Sequence, residues 1–108
     1  MYEYVVQVTG LEKLKEKDKG EINVFLAKQA KKYGKLLSQI QYLKINVQIL
    51  HQTNDSRVLY SIQTQLSIPG KTFEASAKAW NAKAALIQAL SKLEKSIKKF
   101  KNKTKEKR

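Results

Sequence analysis

A two-layer α+β sandwich is the fold class the sequence predicts, a four-stranded mixed sheet in the order β-α-β-β-β-α with two helices packed on one face. Three observations predict it. Several segments alternate apolar and polar residues with period two, two longer segments repeat apolar residues at spacings of three and four, and each alternating segment has only one apolar face to cover. The chain has 108 residues and a single proline, Pro69, with no Pro/Gly-rich linker, so one domain over residues 1–100 and a basic flexible tail over 101–108 are predicted.

Tyr2 to Val8 is aromatic and β-branched, and Thr9-Gly10 stops it, which predicts the first strand. Leu11 to Gly20 follows as a charged, mobile connection. From Glu21, the positions Ile22, Phe25, Leu26, Ala30, Tyr33, Leu36, Leu37 and Ile40 trace one face of an amphipathic helix. Leu43, Ile45, Val47 and Ile49 then alternate with Lys44, Asn46 and Gln48, a strand over about 42–50. After the polar turn cluster His51 to Ser56, a long strand alternates Val58, Tyr60, Ile62, Leu66 and Ile68 with polar residues. Pro69-Gly70 turns the chain into a fourth strand, where Phe73, Ala75 and Ala77 share a face small enough for a helix to approach closely. Asn81 is placed to cap a last helix whose apolar side is Ala82, Leu86, Ala89, Leu90, Leu93, Ile97 and Phe100. A helix linking the first two strands makes them a parallel pair by a right-handed crossover, while the tight turns make antiparallel ones.

Charge is the second informative property. The formal net charge is +13, from 22 Lys+Arg against 9 Asp+Glu. It is concentrated in residues 78–108, which hold Arg108 and half of the lysines against only Glu94 and Glu106. Nearly all of the cations are Lys, point charges suited to phosphate rather than the bidentate forks by which Arg reads bases. Lys28, Lys31, Lys32 and Lys35 form one stripe along the outer side of the first helix, and Lys92, Lys95 and Lys99 a second stripe on the last, with Lys98 beside it. Two such stripes side by side form a candidate RNA-binding groove, and Lys78, Lys83, Lys98 and Lys101 complete the candidate set. Trp80 sits at the corner between the fourth strand and the last helix, where a buried plug is the expectation and stacking on an exposed base the alternative. Tyr2 and Tyr4 are expected to be packing residues.

Catalysis is not supported. There is no Cys, and the lone His51 lies in a turn, so neither a metal cluster nor a Cys/His nucleophile can be assembled, and no catalytic residue, metal or cofactor is expected. Glu12, Glu16, Asp18 and Glu21 stand among lysines that balance them. A small-molecule substrate is not expected. No apolar run approaches the length of a membrane span and no signal-peptide pattern opens the chain, which makes a cytoplasmic protein the expectation.

The element order, the size and several residues together resemble the ribosome hibernation-promoting factor family, the ribosome-associated inhibitors or subunit-interface proteins, in short form. The resemblance is most specific in Phe73-Glu74-Ala75-Ser76-Ala77 and in Ala84-Ala85-Leu86 followed by Leu90 and Lys92-Leu93. Phe25, Lys28, Lys32 and Ile40 match the first helix in pattern, and the loop His51 to Ser56 before a long strand fits as well. At the start of the last helix the chain departs from the family, with Lys83 at an aromatic position and Ile87 in place of an Asp. The resemblance implies a ribosome-associated translation inhibitor that occupies the messenger and transfer RNA channel of the small subunit. It places the helix lysines on rRNA, and implies a monomer without the C-terminal domain that dimerises ribosomes in longer members. A double-stranded RNA-binding domain is the nearest rival, supported by Lys78, Lys83 and the Ala-rich run Ala82 to Ala85 but opening with a helix rather than a strand. A basic protein-interaction adaptor is the other.

Overall fold

The computed structural model describes residues 4–37, 39–54 and 57–106, with the side chains of Lys13 and of residues 102–106 left out of account. The elements are β1 (Val5–Thr9), α1 (Glu16–Leu36), β2 (Tyr42–Gln52), β3 (Val58–Ile68), β4 (Lys71–Ala79) and α2 (Ala82–Glu106), with a single 3₁₀ turn at Leu11–Lys13 between β1 and α1. The strands lie in the order β1-β2-β3-β4 in one sheet. β1 pairs parallel with β2, from Val5 against Tyr42 to Thr9 against Asn46. β2 with β3 and β3 with β4 are antiparallel. This is the α+β architecture that the alternation and the crossover rule require.

Alternation decides which face is buried. Leu43, Ile45 and Val47 of β2, Ile62 and Leu66 of β3, and Phe73 and Ala77 of β4 point into one core with Ile22, Leu26 and Tyr33 of α1 and Leu86, Leu90, Leu93 and Ile97 of α2. Both helices therefore cover the same side, where their apolar stripes remove the greatest apolar area from water. Ala75, Ala77 and Ala79 let α2 lie close over β4, and Phe100 closes the core's far end edge-to-face on Phe73 at 5.4 Å. Thr64, the one polar residue in the inward row of β3, donates its hydroxyl to the Ala75 carbonyl at 2.9 Å, so its burial leaves no unmet donor.

Several boundaries differ from the sequence reading. α1 ends at Leu36, because Leu37 is already extended at φ −126, so Leu37 and Ile40, read as the end of the helix stripe, belong to the connection into β2. α1 begins at Glu16, six residues before Ile22, the first apolar position of its stripe, because Leu14 is buried and tethers the chain while Glu16 and Asp18 favour the positive end of the helix dipole. The segment read as a mobile connection is thus mostly the 3₁₀ turn and the first turn of α1. β1 starts at Val5; Tyr2 lies outside the described residues, and Tyr4 is half-buried with its hydroxyl donated to the Ala30 carbonyl at 2.6 Å. β2 continues through His51 and Gln52, with a bulge that leaves Leu50 as an extra residue between the pairs Ile49/Tyr60 and His51/Leu59. The backbone of α2 runs on to Glu106, where a frayed tail is predicted from Asn102; residues 107 and 108 lie outside the described ones.

Two backbone positions are demanding. Gly10 has φ +88, and a Cβ there would collide with the Val47 carbonyl, so β1 can end beside β2 only with a glycine at this turn. At the start of α2, Asn81 accepts the Ala84 N–H on its Oδ1 at 3.0 Å, which satisfies one of the four donors that a helix N-terminus leaves open. Asn81→Ala should lower stability by about 1 kcal/mol while Asn81→Asp retains it, read as the denaturant midpoint at unchanged m. Gly10→Ala should cost more than about 2 kcal/mol, combining the left-handed penalty with the clash.

Candidate nucleic-acid interface

The two helices run side by side in the same direction. Lys28 of α1 and Lys83 of α2 line one shallow depression with Gly20, Glu21, Val24 and Phe25. Further along, the fully buried Tyr33 donates its hydroxyl to the Leu90 carbonyl at 3.1 Å, and desolvation there raises its phenol far above the ordinary value. Lys32 then reaches across to Glu94 at 2.6 Å. Each helix places its apolar stripe toward the sheet, so the 100° step per residue distributes the lysines among three zones.

The groove between the helices is flanked by Lys28 and Lys32 on α1 and by Lys83 and Lys98 on α2, with the half-buried Lys101 on that same flank of α2. Lys31, Lys35 and Lys95 crown the outward crests and are exposed. Lys92 and Lys99 occupy the far flank of α2, where Lys92 donates to the Ser76 carbonyl on β4 at 3.1 Å. The α2 stripe read from the sequence therefore leans toward the edge of β4, and the charged residues on the flank of α2 that faces α1 include Lys83, Glu94 and Lys98. Lys78 belongs to neither helix: it is exposed on the outer face of the sheet, alternating with the inward Ala77 and Ala79 and paired with Ser61.

Glu94 is the feature of this surface that the lysine pattern hides. Its two carboxylate oxygens hold Lys32 at 2.6 Å and Lys98 at 3.4 Å, so one anion ties together two lysines of the groove, one from each helix. The hydrogen bond from Lys32 is the main reason that its carboxyl lies below the usual carboxylate range, with Lys98 adding to it against a desolvation that works the other way. The Glu-to-Lys spacing of four residues from Glu94 to Lys98 is the signal that marks this pair in the sequence. Among the described residues Lys28, Lys31, Lys35, Lys95 and Lys99 enter no ion pair, which leaves their charge available to an external anion. Val24 and Ile87, 60% and 42% exposed, add apolar surface among these lysines.

Trp80 is not the buried plug expected at the corner. It is 45% exposed, and the Arg57 guanidinium lies 4.6 Å from its ring centroid. Among the described residues there is no grouping of three metal-ligating side chains and no helix long and apolar enough to cross a membrane.

The profile of the family described as the C-terminal domain of hibernation factor Hib matches residues 5–108. The chain belongs to that family. This hibernation-factor domain also resembles a solved ribosomal subunit interface protein from Coxiella burnetii, with a TM-score of 0.57 and 16% identity over 94% of this chain and 99% of that one. At that identity the likeness is one of fold, and it reproduces the β-α-β-β-β-α order. No curated protein matches the chain in sequence. The double-stranded RNA-binding rival opens with a helix, whereas here β1 comes first and pairs parallel with β2.

Because the Glu94 carboxyl is lowered in the fold, its stabilisation is complete above the range of an unfolded carboxylate and is lost as pH falls through the folded value. Glu94→Gln should therefore melt slightly below the parent at neutral pH, by no more than about 1 kcal/mol for so exposed a set of partners, and the gap should close as acidification protonates the Glu94 carboxyl. Thermal melts of both proteins from neutral to acid pH check it. A gap independent of pH would separate the loss from the ion pairs.

Proposed function

We propose that this domain binds the ribosome and keeps it dormant, with the lysines of its helical layer on the rRNA of the small subunit, in the channel used by messenger and transfer RNA. The observation that carries the reading is the helical layer itself. Ten of the candidate lysines lie on two co-directed helices over one face of the sheet, and among the described side chains of α2 only Glu94 opposes them. An exposed cationic surface of this kind attracts phosphodiester and releases counterions, and it carries no sequence reading of its own. The family's description as a hibernation factor, and that of the structural neighbour as a ribosomal subunit interface protein, support the ribosome as the partner.

The reading assigns distinct roles. Lys28, Lys31 and Lys35 with Lys95 and Lys99 meet phosphates directly, being free of ion pairs within the described chain. Lys32 and Lys98 are held by Glu94 and set the width of the groove. Lys83 and Lys101 line the groove's α2 side, and Lys92 fastens α2 to β4 through Ser76. The domain acts as a monomer, by occupying space that RNA ligands need, and performs no chemistry.

Co-sedimentation with isolated small subunits at low and high salt, with a plain RNA duplex as competitor, tests the reading. Stoichiometric binding that falls by several decades over a modest rise in ionic strength, as displacement of about six phosphate counterions requires, is the expected result. Displacement by the duplex would favour a general double-strand reader, and a flat salt response a protein-interaction adaptor. Lys28→Glu/Lys31→Glu should leave the melt unchanged and weaken subunit binding at least about tenfold, since neither residue is engaged within the fold. Glu94→Gln should instead tighten it, by releasing Lys32 and Lys98 and adding one unit to the local charge.

A further inference from the structure

The outer face of the sheet, opposite the helices, carries a second cluster that the helical layer does not use. Arg57 stacks over Trp80 with 4.6 Å from guanidinium to ring centroid, and 45% of Trp80 remains accessible. Lys78, two residues before Trp80, is exposed on that outer face. The bulge at Leu50 restores register so that His51 pairs with Leu59; without it, His51 would follow Ile49 onto the helix side. Bulge, hairpin and strand end thus gather Arg57, Trp80, Lys78 and His51 at one end of the sheet. Trp80 and Arg57 are the only tryptophan and one of two arginines in a chain whose cations are otherwise lysines. The hairpin that presents Arg57 is itself closed, by the Thr53 N–H on the Arg57 carbonyl at 2.8 Å and the Arg57 N–H on the Thr53 hydroxyl at 3.0 Å.

We infer that this end of the sheet binds an unpaired RNA nucleotide, its base stacked on the accessible surface of the Arg57–Trp80 pair and its phosphate on Lys78. An exposed indole capped by a guanidinium offers a flat, polarisable platform to any base, and such stacking tolerates sequence. Charge complementarity selects RNA over a protein segment. Arg57 and Lys78 stand at this end, and the nearest acid on the outer row of β4, Glu74, is two outward positions before Lys78. A duplex does not fit, because its bases are stacked on one another and unavailable to the indole. The site is separate from the helical layer and does not depend on that layer's role: the two lie on opposite faces of the sheet.

Trp80, as the sole tryptophan, reports on the site directly. Titration of the intact protein with a short single-stranded oligoadenylate should quench its fluorescence saturably, whereas the same RNA annealed to oligouridylate should not. In the Lys28→Glu/Lys31→Glu background, where the helical face competes less for RNA, labelled-RNA anisotropy should show Trp80→Ala binding about 5- to 150-fold more weakly, the range of one base–aromatic stack, and Trp80→Phe within about threefold of its parent. Arg57→Gln and Lys78→Glu, which keep the reporter, should shift the quenching midpoint to higher RNA. Lys28→Glu/Lys31→Glu should leave the saturated quench unchanged, which separates this site from the helical face. Binding unchanged in Trp80→Ala, no quench at RNA concentrations that saturate binding, or equal quenching by the duplex would each overturn the assignment.

Discussion

Tyr33 is wholly enclosed where the two helices and the sheet meet, and its hydroxyl finds its partner on the Leu90 carbonyl of the neighbouring helix. A buried phenol without that acceptor would leave a donor unmet in the core, so the contact fixes not only that α1 and α2 adjoin but at what height. From that height the rest of the surface follows. One residue earlier on α1, Lys32 meets Glu94, and Glu94 in turn meets Lys98 one turn further along α2. Displacing either helix by a turn would separate Lys32 from its anion and dissolve the present order of the groove. The functional surface is in this sense a consequence of core packing.

Collecting so many cations on one layer has an electrostatic cost that the fold limits in two ways. The lysines stand on long stems at solvent-exposed positions, where screening keeps their mutual repulsion small. Glu94 neutralises the point at which the helices approach and their charges would crowd most. The crests and the outer flank are left uncompensated. A partner that brings its own phosphates relieves the repulsion that remains, which is the physical reason such a surface is stable alone yet strongly attracted to RNA.

Much of this was legible in the sequence because the signals were strong. The alternation of Leu43 to Ile49 and the stripe from Ile22 to Tyr33 each have one periodicity and one interpretation, and the crossover between them allows one hand. The start of α1 was not, because Glu16 to Lys19 has no apolar periodicity and becomes helical through the tether at Leu14 and the helix behind it. The bulge at Leu50 changes pairing without any turn-forming residue to announce it. The order of lysines across the groove depends on how far each helix is rotated over the sheet, which periodicity approximates and Tyr33 decides. Trp80 was read as a plug because aromatic residues at corners are commonly buried; Arg57, distant in sequence, is what covers its ring instead.

The central claim is that the helical layer meets the small subunit. Lysine acetylation followed residue by residue by mass spectrometry, on the free domain and on the domain bound to small subunits, tests it most directly. Protection of Lys28, Lys31, Lys35, Lys95 and Lys99 on binding, with Lys44 on the outer sheet face as reactive as before, is the result the account predicts. Helix lysines that stay reactive in the complex while Lys44 becomes protected would contradict it.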